Sequence, residues 1–503
     1  MPRRRLLCAA LALAISVPVY SAPPLIARER VLAHRLEHIM AGPDFQHGFW
    51  GVYVYDATHH RVLFNHNGDR WFTPASNAKL FTLSAALDLL GGSYRFHTVV
   101  QSAAAPDNQG VIAGNVSLVG VGDPSLSGRP YPYQLDPPEP ALPYDAMLVP
   151  RRLAQDLAAR GVKRIEGDIV GDDSYFTDSP YPQGWAIGDE LWDYGAPVSA
   201  LTLNDNTRWL QIFPGPAPGA LPRLVWSPAL DAPAMEIEGQ TGPAGSATRL
   251  RLETDPVTGA LRLSGSIASG STGVLEALAV RQPARYAAQL LRQALETQGI
   301  TVTGHAVACH QACAAGSAFT LATWASPPLS EILQATAKVS QNLEAELMLR
   351  LLGKLRGPAD AANQTRAGEA VRSAFLHSAG LNASDTVLVD GSGLARTDLV
   401  TPAGVVRLLR YMAQRPEAAA WNTLLPIAGV DGTLDHRFLH DPAARGRLRA
   451  KTGSLSHVNS LSGYVRARNG DQLVFSLLSN NVNRRSSDVR KQLDQIANVL
   501  ASW

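Results

Sequence analysis

Three short polar motifs carry the chemistry this sequence can do. Ser76-Asn77-Ala78-Lys79 places a hydroxyl and an amine three residues apart. On a helix such residues share a face, with Cβ atoms about 5–6 Å apart, so the Lys79 amine can reach the Ser76 hydroxyl. A serine hydroxyl is a poor nucleophile until a base takes its proton, and a lysine does so only when neutral. Burial and a second cation nearby would both push Lys79 toward that form. Lys451-Thr452-Gly453 offers a cation, a hydroxyl and a residue without a Cβ. Lys451 by charge and Thr452 by a hydrogen bond suit a carboxylate, and Gly453 lets an extended substrate backbone approach a strand. In Ser340-Gln341-Asn342, Ser340 can pass a proton to a leaving amine, while the Asn342 amide can hold substrate and keep Lys79 in place.

Each motif is weak alone, since Ser-x-x-Lys is more often a solvated helix pair. Their order, and the scarcity of lysine in an arginine-rich chain, change that weight: lysine stands only at Lys79, Lys163, Lys338, Lys354, Lys451 and Lys491. The surrounding pattern supplies elements to hold them. Pro74 suits a helix start and Gly91-Gly92 its end, with Leu80, Leu83, Leu87 and Leu90 at helical spacing, so Ser76 opens a buried helix. The second motif sits at the junction of two apolar-periodic helices, 329–339 and 343–352. The third lies on the first of two or three adjacent antiparallel strands, at an edge facing a cleft.

Composition agrees with a large exported protein. At 503 residues two or three domains are expected, and 46% hydrophobic with 17% charged residues is the balance of a folded chain. Arg3-Arg4-Arg5 followed by the apolar run from Leu6 to Val19 reads as a secretory signal peptide, 1–21, cleaved near Ser21 or Ala22, although an uncleaved anchor stays open. Removing its three arginines from the formal +2 leaves about −1, and nothing resembles a nucleic-acid footprint. No later segment reads as transmembrane. For Cys309 and Cys313 a local disulfide is favoured, with a metal knuckle including His305 and His310 as the sharper alternative.

The motifs in this order, with Pro74-Ala75-Ser76, Gly122-Asp123-Pro124, Gly167-Asp168-Ile169, Trp185 and Ala200-Leu201, Asp390-Gly391-Ser392-Gly393-Leu394, Gly429 to Leu434 and Leu461-Ser462-Gly463-Tyr464, resemble the D-alanyl-D-alanine carboxypeptidase/endopeptidase type of penicillin-binding protein, the S13 serine peptidases. The resemblance runs over nearly the whole mature chain. It implies an α+β fold, an antiparallel sheet flanked by helices as in the penicillin-recognising transpeptidases and β-lactamases, split by β-rich inserted domains. The expected division is catalytic residues 22–93 and 281–503 around an insert at 94–280, a segment of short strands without helix, with Pro130 to Pro143 and Pro214 to Pro222 as loops.

It further implies a periplasmic enzyme acting on peptidoglycan stem peptides through a Ser76 acyl-enzyme, trapped by β-lactam antibiotics. Backbone N–H groups of Ser76 and Ser454 would form the oxyanion hole, and neither metal nor organic cofactor is needed. At the rim, Asp189 would meet the free amine of the stem peptide's diamino acid and Arg396 its carboxylate; the bland alternative is a turn cap and a structural ion-pair partner. A β-lactamase and a catalytically weak scaffold that docks wall-synthesis partners stay open as other functions, as do peripheral membrane contact and a homodimer.

Overall fold

The computed structural model describes residues 27–135, 142–176, 179–230, 232–255, 257–311, 313, 318–359 and 361–503. The signal-peptide reading lies outside them. No helix among the described residues is long and apolar enough to cross a membrane.

Both ends of the chain build one antiparallel sheet. Its five strands run in the order Arg61–His66, Phe49–Asp56, Gln472–Asn480, Val458–Arg466 and Leu448–Leu455. The central strand Gln472–Asn480 is buried at every position after the first, which is why it reads as a continuous apolar run rather than an alternating one. Alternate side chains still go opposite ways. Leu473, Phe475 and Leu477 join a core with the helices Ala27–Met40 and Ser486–Ala501. Val474 and Leu478 join a second core with Lys79–Leu90, Leu329–Val339, Asn342–Arg356 and Pro402–Met412. The C-terminal helix thus packs on the sheet through Leu493, Ile496 and Leu500, as its spacing predicts. The strand carrying Lys451-Thr452-Gly453 is the sheet's edge, again as expected.

The insert differs from its expected description in two ways. It contains a helix, Leu148–Ala159, whose Val149, Leu153 and Leu157 are buried at four-residue spacing; the proline-rich stretch before it masks that short pattern. It also extends well past 280. Helix Pro283–Thr297 packs Tyr286, Ala287, Leu290 and Leu291 into the insert's own core with Val116, Leu118 and Ile169. The approach is close: a Cβ on Gly171 would lie 1.9 Å from the Ala284 carbonyl oxygen. Strands Ala306–Cys309 and Phe319–Ala325 then close a five-stranded sheet with 169–172, 116–119 and 97–102. The helical pattern at Pro283 signals an α/β unit, not the return of the catalytic domain. That return comes where Ser326 N–H donates to Phe96 O and Leu329 N–H to Tyr94 O, so the outgoing and incoming chains cross side by side.

A smaller β unit hangs within the insert, with Leu210, Ile212, Leu252, Leu263, Ile267 and Leu278 as its core. Cys309 and Cys313 form a disulfide. Of the two histidines of the metal alternative, His310 pairs its Nδ1 with Asp173 at 2.7 Å.

Candidate active site

Ser76 lies in a short 3₁₀ turn, Ala75–Ala78, that leads into helix Lys79–Leu90. The expected helix is therefore present but tightens at its start, and in a 3₁₀ turn residues three apart eclipse one another. Ala75, just before Ser76, sits at φ +49°, a left-handed conformation that an alanine holds only under tight packing. Two glycines provide that packing. A Cβ on Gly393 would meet Ala75 O at 1.9 Å, and one on Gly453 would meet Pro74 O at 2.8 Å and Ser76 N at 2.9 Å. Gly453 thus lets the backbone of Ser76 close on the strand, a demand separate from the substrate approach expected of it.

The fully buried Lys79 Nζ stands 3.0 Å from Ser76 Oγ, 2.6 Å from Asn342 Oδ1 and 2.8 Å from Ser392 O. The last two atoms only accept hydrogen bonds. The Asn342 orientation is fixed because its Nδ2 donates to Tyr194 O at 2.8 Å. A neutral Lys79 spends its two N–H bonds on these acceptors and leaves its lone pair facing the Ser76 hydroxyl. Burial lowers the amine from its ordinary 10.5 to about 7, against the opposing pull of Asp390, Glu346 and Asp398. That disfavours the charged form by on the order of 5 kcal/mol.

The other two motifs meet across the same cleft. Ser340 ends helix Leu329–Val339 in a left-handed cap, φ +64°, and its Oγ accepts from Lys451 Nζ at 2.7 Å. Lys451 also reaches Thr452 O at 2.8 Å; burial and then Lys79 hold its ammonium form well below the usual lysine range. Thr452 Oγ1 touches Thr433 Oγ1 at 2.8 Å, and Ser454 Oγ touches Ser486 Oγ at 2.8 Å. Ser76, Ser340, Asn342 and Ser454 line a cleft of about 810 Å³, with Asp189 and Arg396 also on its walls. Asp189 accepts from the Tyr194 hydroxyl, and Arg396 Nη1 donates to Ser456 O at 3.2 Å.

Several site residues had no assigned role in the sequence reading. Ser392 supplies its carbonyl to Lys79, and Asp390 beneath it accepts from the N–H groups of Gly393 and Ala395 and from Trp185 Nε1. Gln341 caps Asn342–Arg356 by accepting from Leu343 N, while its Nε2 donates to buried Asp205 of the insert. The Asp390-Gly391-Ser392-Gly393 sequence carried a usable signal, because an acid before Gly-Ser-Gly marks a tight turn with inward backbone groups. Tyr194 and Asp205 carried none, being brought in from the insert by tertiary packing.

A family model described as the D-Ala-D-Ala carboxypeptidase 3 (S13) family matches residues 32–500. The chain belongs to this family of serine-type carboxypeptidases. It is 34% identical over 464 residues to a D-alanyl-D-alanine carboxypeptidase of Actinomadura sp. (strain R39), covering 90% of this chain and 82% of that protein. It is 27% identical over 435 residues to the D-alanyl-D-alanine carboxypeptidase DacB of Haemophilus influenzae, covering 84% of each. The crystal structure of penicillin binding protein 4 from H. influenzae shares the fold, with a TM-score of 0.77 at 24% identity over 92% of this chain and 97% of that one.

Two outcomes follow for this S13 peptidase. Gly453→Ala forces its Cβ against Ser76 N, and a shift of about 1 Å in a reacting group costs on the order of a hundredfold; stopped-flow acylation by a chromogenic acyl donor will show at least that loss. Lys79 accepts a proton only above its lowered value, so kcat/KM rises with pH along an acid limb centred near 7. A limb centred below about 5, the ordinary carboxylate range, would remove Lys79 as the base.

Proposed function

We propose that the chain is a D,D-carboxypeptidase that hydrolyses the terminal D-Ala-D-Ala bond of peptidoglycan stem peptides, also cuts D,D cross-links, and is acylated by β-lactams. The observation that carries this reading is Lys79 Nζ held between two acceptor-only oxygens with Ser76 Oγ as its third neighbour. Neutral Lys79 takes the Ser76 proton as Oγ bonds to the carbonyl carbon of the penultimate D-alanine. The backbone N–H groups of Ser76 and Ser454 receive the oxyanion. The C–N bond then breaks, Ser340 protonates the leaving amine, and the proton taken by Lys79 replaces the one Ser340 gave. Water hydrolyses the resulting ester and frees Ser76.

Lys451 and Thr452 hold the substrate's terminal carboxylate. Burial and then Lys79 disfavour the ammonium form of Lys451, and a substrate carboxylate supplies the counter-charge that favours it. That charge pairing favours free-acid over amidated ends. Asp189 and Arg396, on the walls of one cleft, grip the amine and carboxylate of the diamino acid. The reading places the enzyme in the periplasm, exported by its N-terminal segment. The H. influenzae penicillin binding protein 4, which shares the fold at a TM-score of 0.71, has also been crystallised in complex with a β-lactam, which supports β-lactam binding by this chain.

The deciding experiment incubates the protein with pentapeptide and cross-linked muropeptides and identifies products by mass. Release of D-alanine and of separated stems is expected. Ser76→Ala, with an unchanged thermal melt, will lose both that release and covalent labelling by penicillin; labelling at the normal rate would place the nucleophile elsewhere. Rapid nitrocefin turnover would instead favour a β-lactamase. For Asp189→Ala, the ratio of kcat/KM for a peptide bearing the diamino acid to that for N-acyl-D-alanyl-D-alanine will fall by on the order of tenfold or more, the scale of one charge-assisted hydrogen bond. An equal loss on both substrates would remove Asp189 from side-chain recognition.

A further inference from the structure

A second concave surface lies on the far side of the nucleophile's lead-in segment. It has a volume of about 520 Å³ and is lined by Phe49, Asn67, Arg70, Trp71 and Asn481, with Phe72 and Asn480 as its floor. Phe49 is 57% and Trp71 54% exposed, unusual for two large aromatics in one hollow. Trp71 is not loose: its Nε1 donates to Ser384 O at 2.7 Å, fixing the indole while leaving its ring in solvent. Phe49 is anchored at the start of its strand, where it faces Asn480 in the sheet register. Around these rings stand amide and guanidinium groups.

Two chains of contacts link the hollow to the catalytic cleft. Asn480 brackets Thr73, accepting from its N–H at 2.8 Å and donating to its carbonyl at 3.1 Å, while Thr73 Oγ1 donates to the carbonyl of cleft residue Arg396. Across the end of the sheet, Leu455 of the cleft wall pairs with Val458, Val458 with Asn480, and Asn480 with Phe49. Three strand steps make about 14 Å. A stem peptide extended past the motif strand covers about 13 Å in four residues. That run is along the strands while the three steps are across them, so the peptide alone ends short of the hollow and the attached sugar chain has to span the rest.

We propose that Phe49 and Trp71 form a subsite for the glycan strand to which the stem peptide is attached. A pyranose has an apolar face of C–H groups and a rim of hydroxyls. Exposed ring faces cover the first, and amide and guanidinium groups such as those of Asn67, Asn481 and Arg70 hydrogen-bond the second. The hollow lies within the usual range for small-ligand sites, roughly 300–1,000 Å³. This inference rests on the peptidoglycan reading above.

The test compares a free pentapeptide with the same peptide carrying its N-acetylglucosaminyl-N-acetylmuramyl disaccharide. The wild-type full chain will favour the disaccharide substrate by about tenfold in kcat/KM, the effect of one well-placed aromatic anchor. Phe49→Ser and Trp71→Ala will bring that ratio toward one, and Trp71→Phe, which keeps a ring but loses the bond to Ser384, will retain most of it. No preference in the wild type, or an unchanged ratio in the variants, overturns the proposal. Calorimetric titration with peptide-free glycan oligomers separates this subsite from the catalytic reading: binding that is lost in Phe49→Ser upholds it even if no D-alanine is released, and absence of binding sinks it even if D-alanine is. A change from dimer to monomer in the variants by sedimentation would make the hollow a self-association face and overturn the proposal.

Discussion

The site depends on keeping one amine out of water without giving it a carboxylate contact. Lys79 is wholly buried, and its three hydrogen-bond neighbours are a hydroxyl, an amide oxygen and a backbone carbonyl. These come from its own 3₁₀ turn, from the second helix pair and from the Asp390-Gly391-Ser392-Gly393 turn. A direct Asp or Glu partner would hold Lys79 charged and leave Ser76 without a base. Neutral acceptors orient the amine while letting desolvation set its proton affinity.

Carboxylates do lie beneath this layer, and Asp390, Glu346 and Asp398 each pull Lys79 toward its charged form without outweighing its burial. Burial and the nearby Asp390 push Glu346 up to about 8, and burial together with Asp390 raises Asp398 well above the usual range. Burial alone would raise Asp390 too, but hydrogen bonds from Asp398, Ala395, Gly393 and Trp185 hold it low. Arg372 donates to the backbone carbonyls of Asp390 and Leu388.

How much of this was legible in the sequence follows from how local each feature is. Ser76 with Lys79, and the strand edge at Lys451, depend on short-range periodicity, so helix and strand spacing disclosed them. The α+β fold followed from the family resemblance. The return of the catalytic domain was misplaced at 281, because the apolar face of Pro283–Thr297 is equally suited to either core and only the Gly171–Ala284 approach decides between them. Gly453 was read for substrate, although a Cβ there would, besides the nearer Ser460 Oγ at 2.3 Å, also meet Pro74 O at 2.8 Å and Ser76 N at 2.9 Å. Such demands belong to pairs of residues hundreds of positions apart. No window of sequence contains both members.

The insert is therefore more than an appendage to a self-sufficient catalytic domain. Its residue Asp205, in a buried Asn204-Asp205-Asn206 turn with every φ near +51°, accepts from Arg129, Tyr144 and Gln341. Gln341 lies between Ser340 and Asn342, so the insert fixes the central member of a catalytic motif through an ion pair that is itself buried. Tyr194 O, again from the insert, takes the Asn342 Nδ2 hydrogen and so dictates which amide atom faces Lys79. Removing one partner of such a buried charge pair costs several kcal/mol, because the remaining charge is left uncompensated. Damage at Arg129 would then reach Gln341, Asn342 and finally the orientation of the base, which makes the unusual separation between the first two motifs part of how the base is held.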